Sequence, residues 1–533
     1  MLVLALNTGH DGAFAAVKDG QLLFSQEAEK DSFERHAHVN AQAVMNFVEG
    51  MGEVPDVVSF TGGWRPRSGA VGTGYLGAEL VEQRPMNFFG KTVTRVDSSH
   101  ERSHIMSSIA LAPRDDAPLR AALVWEGQVG KLYLVDGHGV VKREVPVHEM
   151  VGTRWSFLFA LADPTFPDRG AFPWHTNAGK LMALAAFGDP DEADPIVTDI
   201  VDQVLTRFRP DRWASAKWRL RESPIYNAGV EADITKNAAA LLSRRIFEMF
   251  STAALEHLPP DIPFHISGGC GLNCDWNSMW RDLGHFSSVF VPPCPNDSGL
   301  AIGGAADALR LCAGDPFIDW DVYGGLEFEW DQEPDPSVWR RQAMTVREVA
   351  DALADGRIVA WVQGRAEIGP RALGNRSLLA DPSDPRTRDR LNEIKQRENY
   401  RPIAPVCRIE DAAKVFDTDF EDPYMLYFRM VTSDRLGAVT HVDGSARCQT
   451  VTQKSNRRLH ELLCAVADRS GIGVLCNTSL NFKGLGFINR MSHLAEYCEE
   501  RGVDDFVAGD AWYQRIDSRP STAAGVEQLR SHA

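Results

Sequence analysis

Residues 3–30 read VLALNTGHDGAFAAVKDGQLLFSQEAEK. An unbroken apolar run leads into a glycine-containing turn, a second apolar run follows, and Asp19-Gly20 divides it from a third. Asp-Gly supplies the positive backbone angles that a tight hairpin needs. The stretch therefore predicts strand, glycine turn, strand, Asp-Gly turn, strand, with the first strand buried. Residues 121–147, AALVWEGQVGKLYLVDGHGVVKREVPV, repeat that order about 120 residues later. Two such meanders predict a duplicated unit.

A duplicated meander is similar to the layout of the actin, sugar-kinase and Hsp70 class, in which a nucleotide sits between two like lobes. The helical stretches that follow fit an α/β chain. Residues 177–189 form an apolar segment stopped by Gly-Asp-Pro, and residues 235–258 a long amphipathic helix. Residues 264–280 and 289–311 each read strand, loop, helix. Residues 313–345 are acidic and aromatic, without periodicity, and read as a connection. A second unit begins with the helix TVREVADALADG and the strand RIVAWVQG. The division expected is a domain over residues 1–330, a second over 345–520 and a tail at 521–533.

The chain has 533 residues and a net charge of −17, which argues against broad nucleic-acid binding. No run approaches the ~18 apolar residues that span a membrane, and the N-terminus lacks the basic region and cleavage site of a signal peptide. The nine cysteines contain no C-x-x-C pair. A cytoplasmic protein with free thiols is expected.

Three stretches carry chemistry. In SSHERSH (98–104), His100 and His104 are four apart, which places both rings on one helix face; alone, the pattern fits a metal site or two ordinary surface histidines. His10, in TGHDGA, follows a strand and so is expected at a strand end, either as a general base or as a partner of the turn. Residues 365–401 hold eight arginines and Lys395 against six acids. Arg365, Arg371 and Arg376 offer forked donors suited to phosphate or carboxylate, Gly374 would let a ligand approach the backbone, and Lys395, Arg397 and Arg401 follow. The alternative is surface pairing with acids such as Glu367 and Glu398. Arg447, Asn477, Ser479 and Asn481 could close the same anion site. Cys270 and Cys274 read as buried small residues.

Together GRAEIGPRALGNRSLLADP, KQRENYRPIAP, HVDGSARCQTV and NTSLNF resemble the C-terminal part of the NodU/CmcH family of O-carbamoyltransferases. GHDGAF, SSHERSH, AGKLMALAAFGDP, SGGCGLN and CPNDSGLAIGGA resemble its N-terminal part, in the family's order over nearly the whole chain. EKDSFERH (29–36) resembles most the members that act on 3-hydroxymethyl cephems.

The resemblance implies an actin-like N-terminal domain, similar to tRNA threonylcarbamoyltransferases, and a YrdC-like C-terminal domain. The latter would bind carbamoyl phosphate and Mg-bound ATP through Arg371, Arg376, Lys395, Arg397, Arg401, Arg447, Asn477 and Ser479, and form carbamoyl-AMP. The N-terminal domain would pass the carbamoyl group to a hydroxyl of a small natural product. The resemblance implies iron or zinc on His100, His104, Asp297 and Glu126, the last where the family usually has aspartate. It makes His10 the base with Asp11 beside it, and Gly268, Gly269, Asn273 and Lys180 the nucleotide contacts. Lys180 follows an alanine where the family usually has glutamate, and GLGFINR (484–490) departs from the family's Glu-Pro pattern. Family analogy admits a homodimer, with no nucleic acid or membrane partner. Two other readings share this layout: a threonylcarbamoyl tRNA-modifying enzyme, disfavoured by the charge, and a non-catalytic nucleotide-binding regulator, disfavoured because none of the chemical residues is lost. The glycine-rich and aromatic stretches 55–90 and 150–176 are candidate linings of an acceptor pocket.

Overall fold

The computed structural model describes residues 1–32, 34, 36–65, 69–71, 73–171, 177–190, 194–206 and 216–516. The expected tail at 521–533 and parts of the 55–90, 150–176 and 29–36 stretches lie outside these residues.

The opening stretch forms β1 (Leu2–Asn7), β2 (Ala13–Lys18) and β3 (Gln21–Glu27). The turn between β2 and β3 carries Asp19 and Gly20 at φ 51° and 83°, the positive angles Asp-Gly was expected to supply. Every residue of β1 is buried, because it is central: β2 pairs with it antiparallel and β4 (Val57–Thr61) parallel. With β5 (Val81–Phe88) and β6 (Lys91–Ser98) the sheet runs β3-β2-β1-β4-β6-β5.

The second meander forms β7 (Leu119–Trp125), β8 (Gly130–Asp136) and β9 (Val141–Pro146). It continues into β10 (Pro263–Ser267) and β11 (Ser288–Phe290), in the order β9-β8-β7-β10-β11. In both sheets the first three strands are antiparallel and the fourth and fifth join in parallel. The duplication legible in the two meanders is thus present over five strands, the edge strand β5 of the first sheet having no counterpart in the second.

The third sheet is mixed, with eight strands drawn from Trp339–Ala343 to Ala511–Arg515. Its core packs Trp339, Leu378, Phe506 and Tyr513 on one face and Trp361, Leu379, Leu459 and Trp512 on the other. The stretch expected to be a plain connection departs from that reading at its end. Residues 339–343 form an edge strand paired with 511–515. Before it, the chain lies along β3: Leu22 donates to the Asp319 carbonyl at 2.8 Å and Ser25 to that of Gly324 at 2.7 Å. Two local signals were missing: residues 339–343 do not alternate, and their partner lies far along the chain. No helix among the described residues is long and apolar enough to cross a membrane.

Four helices concern the site: α1 (His100–Ala110), α2 (Asp233–His257), α3 (Cys274–Asp282) and α4 (Leu300–Ala313). All residues of α1 are buried, so each polar side chain on it must find a partner inside the protein. The α1–α4 crossing is close because α4 presents glycine there. A Cβ on Gly303 would lie 1.9 Å from the Ser103 carbonyl oxygen. Beside it, Arg102 grips Asp307 with Nε at 2.7 Å and a terminal nitrogen at 2.6 Å.

Gly303→Ala is expected to cost about 3 kcal/mol of stability through overpacking, read by urea unfolding. Gly179→Ala, on an exposed helix face with nothing within 4 Å of its Cβ, should leave the midpoint nearly unchanged.

Candidate active site

Four side chains converge at the ends of β7 and β10. His100 and His104 stand one turn apart on α1. Glu126 directly follows β7, and Asp297 opens the turn Asp297–Gly299 that leads into α4. Glu126 Oε2 lies 3.2 Å from His100 Nε2 and 3.3 Å from His104 Nε2. Asp297 Oδ1 lies 3.7 and 3.3 Å from the same two nitrogens. One ligand atom from each of the four residues lies within 4.8 Å of the others, and all four residues are buried.

The donor set fits a metal ion. His104 Nδ1 is 3.0 Å from Ser267 Oγ, which donates onward to the Pro295 carbonyl at 3.2 Å. That chain puts the imidazole proton on Nδ1 and leaves Nε2 as a lone pair facing the carboxylates. Nε2 is buried and makes no well-formed hydrogen bond. Without a cation the residues neutralise one another. Burial opposes ionisation of Glu126, but His100 and His104 outweigh it and hold the carboxyl well below its usual range. Burial also opposes a charged His104, yet Asp297 and Glu126 raise it to about 9.

His10 stands at the mouth of this site, its ring mostly exposed. Its Nε2 is 3.4 Å from Asp297 Oδ2 and its Nδ1 3.2 Å from Asp11 Oδ2. Asp297 first, then Asp11, raises it to about 9. Asp11 takes φ 50°, a left-handed backbone unusual for a residue with a side chain. Two positioning groups were not singled out in the sequence. His36 Nδ1 holds the other Asp11 oxygen at 2.8 Å. Asn7, at the end of β1, donates to the Asp11 carbonyl at 3.2 Å and the Asp297 carbonyl at 3.1 Å, tying the His10 loop to the Asp297 turn. Tyr75 was also missed: its hydroxyl bonds Glu126 Oε1 and its ring stacks on His100 at 4.0 Å.

A second centre, of opposite sign, lies in the C-terminal half. Lys395, Arg371, Arg397, Arg401 and Arg447 crowd together. Burial first, then Arg397, Arg401 and Arg501, holds the Lys395 ammonium well below the usual lysine range. Burial and neighbouring arginines push Arg371 and Arg397 down to about 9 each. Burial likewise lowers Arg401, with Arg447 adding to it. Glu398 pairs with Arg401 at 3.8 Å but is shared with Lys180 at 3.0 Å. The Nε atoms of Arg371 and Arg447 are buried without partners. Buried like charges with one shared carboxylate form an excess of positive charge that a bound anion would offset. Lys395 Nζ is ringed by protein acceptors, the carbonyls of Ser479 at 2.5 Å and Asn481 at 3.1 Å, Ser479 Oγ at 3.3 Å and Asn481 Oδ1, so it contributes charge to the cluster while its N–H groups are held by the 479–481 strand end. Asn477 donates to the Ala372 carbonyl and Gln449 Oε1, and its Oδ1 is left unpartnered.

Several expected contacts are placed differently. Arg376 is not an anion ligand: all five of its N–H groups go to Asn489 Oδ1 and the carbonyls of Gln363, Asn375 and Gly364. It is fully buried on a strand, where only protein carbonyls can satisfy it. Arg365 also goes to carbonyls, those of Gly325, Leu23 and Gly324. Glu367 is no surface ion-pair partner; its Oε1 accepts the N–H groups of Leu373, Asn375 and Arg376 and shapes the loop. Gly374 and Gly268 are glycine for packing: a Cβ would strike Leu459 Cδ2 at 2.3 Å and the Trp125 carbonyl oxygen at 2.3 Å. Gly269 does face open space. Asn273 spends its Oδ1 capping α3, accepting from Asp275 and Trp276. Lys180 faces Glu398 of the cation cluster.

One turn links the centres. Ser267 touches His104, and five residues later the Leu272 carbonyl accepts from Arg371 at 3.0 Å.

The stability of metal-stripped protein should depend on pH with a definite sign. His10 and His104 are raised above their unfolded value, so their contribution is complete below pH 6.5 and is lost as pH rises through about 9. Glu126 is depressed, so its contribution is present above its unfolded value and is lost on acidification. Thermal unfolding in chelator should therefore fall between pH 6.5 and 9. A divalent metal, which replaces the protons, should remove most of that fall.

Comparison with known proteins finds relatives over nearly the whole chain. Residues 86–306 match the carbamoyltransferase N-terminus family and residues 350–515 the carbamoyltransferase C-terminus family. A 3'-hydroxymethylcephem-O-carbamoyltransferase of Amycolatopsis lactamdurans is 57% identical over 97% of this chain and 100% of its own length. One from Streptomyces clavuligerus is 56% identical over 97% and 99%. Nodulation protein U of Rhizobium tropici is 34% identical over 95% and 94%. Identity of this extent, through both halves, shows that the chain is a carbamoyltransferase and belongs to the NodU/CmcH family.

Proposed function

We propose that the enzyme carbamoylates the 3'-hydroxymethyl group of a cephem, using carbamoyl phosphate and ATP, as a tailoring step in antibiotic biosynthesis. The acceptor class rests on the two relatives above 55% identity, both named for that substrate.

The C-terminal half, read as YrdC-like, is the adenylate-forming domain. Lys395, Arg371, Arg397, Arg401 and Arg447 bind the phosphates of ATP and carbamoyl phosphate there. Water cleaves carbamoyl phosphate to carbamate and phosphate; a carbamate oxygen then attacks the α-phosphorus of ATP, forming carbamoyl-AMP as pyrophosphate leaves. The N-terminal duplicated half, read as actin-like, is the transfer domain. His10 takes the proton from the cephem hydroxyl as its oxygen attacks the carbamoyl carbon, and AMP leaves. Asp11, braced by His36, orients the ring. Imidazole and carboxylate ligands suit iron or zinc on His100, His104, Glu126 and Asp297. When bound there, the ion supplies a Lewis acid for the adenylate phosphate or the carbamoyl oxygen and draws on the Asp297 charge that otherwise keeps His10 protonated.

The observation that carries this reading is the turn from Ser267 to Leu272, which touches His104 at one end and Arg371 at the other. That both the His104 cluster and the arginine cluster touch one short segment supports a two-step transfer between them.

Pyrophosphate release from ATP tests it. Release should depend on carbamoyl phosphate and rise on addition of a 3'-hydroxymethyl cephem, with the carbamoylated cephem seen by mass spectrometry. Release independent of carbamoyl phosphate would overturn the donor. A rise with an aminoglycoside or a tRNA but not with the cephem would overturn the acceptor.

A further inference from the structure

The glycine-rich loop Gly74–Leu80 is stitched onto the start of α1. An α-helix begins with N–H groups that have no partner inside the helix. Here the Gly74 carbonyl accepts from His100 at 3.2 Å and the Tyr75 carbonyl from Glu101 at 3.0 Å. Glu101 returns the contact, its Oε2 accepting the Gly77 N–H at 2.7 Å. Ser99 Oγ donates to the Gly77 carbonyl at 2.6 Å, and Ser99 N–H to that of Leu80 at 3.0 Å. The loop is therefore fixed relative to the metal helix, and it carries Tyr75 into the site. The ring lies 17° from parallel with that of His100, and the hydroxyl donates to Glu126 Oε1.

We infer that Tyr75 is a positioning residue for the metal site, holding Glu126 by one oxygen so that the other faces the metal. Glutamate has one more methylene, and so one more rotatable bond, than the aspartate expected at this position. Unrestrained, its carboxylate samples orientations in which neither oxygen, or both, faces the histidines. With Oε1 bonded to Tyr75, Oε2 is the oxygen at 3.2 and 3.3 Å from His100 and His104. The stacked ring also limits rotation of the His100 imidazole. Groups that orient a ligand in this way commonly change metal affinity by about 10–100-fold when removed.

The inference rests on the metal reading, and the test separates the two. Cobalt(II) affinity is measured by chelator competition, following the visible d–d bands, in the wild type and in Tyr75→Phe, Glu126→Asp, the double variant and His104→Ala. Circular dichroism and thermal unfolding in chelator confirm that each is folded. Tyr75→Phe keeps the stacked ring and is expected to bind cobalt about tenfold more weakly. In the Glu126→Asp background the shorter carboxylate retreats from residue 75, so Tyr75→Phe should add no further loss. Unchanged affinity in Tyr75→Phe, or the same tenfold loss in both backgrounds, would overturn the positioning role. Undiminished cobalt binding in His104→Ala would overturn the metal reading itself.

Discussion

The crossing of α1 and α4 is the contact on which the metal site depends. α1 carries both histidines, and the turn into α4 carries Asp297. Their separation is set where Gly303 admits the Ser103 backbone, since any side chain there would force the helices apart. Register is set by Arg102 and Asp307, a bidentate pair with side chains 3% and 0% exposed. Such a pair is costly to bury unless every remaining donor and acceptor is satisfied. Here four of the five Arg102 N–H groups have acceptors, two on Asp307 and two on the Ala78 and Gly139 carbonyls, and Asp307 accepts from Ser98 Oγ and Arg310 as well. Removing one partner would leave an uncompensated buried charge, at a cost of about 3–5 kcal/mol.

From that fixed pair of helices the two centres diverge in sign. The N-terminal centre gathers carboxylates around imidazoles, a donor set that suits a cation. The C-terminal centre gathers guanidinium and ammonium groups, a charge set that suits an anion. Neither charge set is stable alone, and each is lowered in energy by the ligand of opposite charge. Lys30 links the halves directly. Its Nζ bonds the Glu367 and Gly369 carbonyls of the arginine loop at 2.6 and 2.7 Å, while Glu27 accepts the Gly369 N–H at 2.6 Å. The same N-terminal segment carries His36, which braces Asp11 beside His10.

Local periodicity made the duplicated fold legible. Both meanders are written in contiguous apolar runs and Asp-Gly turns, and each run became a strand. The i, i+4 spacing placed both histidines on one helix face but left their role open; Asp297 and Glu126 came in only through the family resemblance, and the structure brings the four together. What sequence could not show is which neighbour a residue meets. Gly268 and Gly374 advertise close approach, but to Trp125 and Leu459. Arg376 sits in the same arginine-rich stretch as Arg371, yet only the sheet reveals that its donors are consumed by carbonyls. Tyr75, His36 and Asn7 act through partners brought to them by the fold, so no spacing rule picks them out. Residues 339–343 pair with a strand about 170 residues away and carry no alternation of their own.

The central claim is that adenylate formation and carbamoyl transfer occupy separate centres. The most direct test is a rapid quench of enzyme mixed with ATP and radiolabelled carbamoyl phosphate, in Lys395→Ala and in His10→Ala, with labelled carbamoyl-AMP separated chromatographically. The account predicts that His10→Ala accumulates the adenylate and fails to pass it to the cephem, while Lys395→Ala forms none. Adenylate formation in both variants, with only transfer lost, would contradict it.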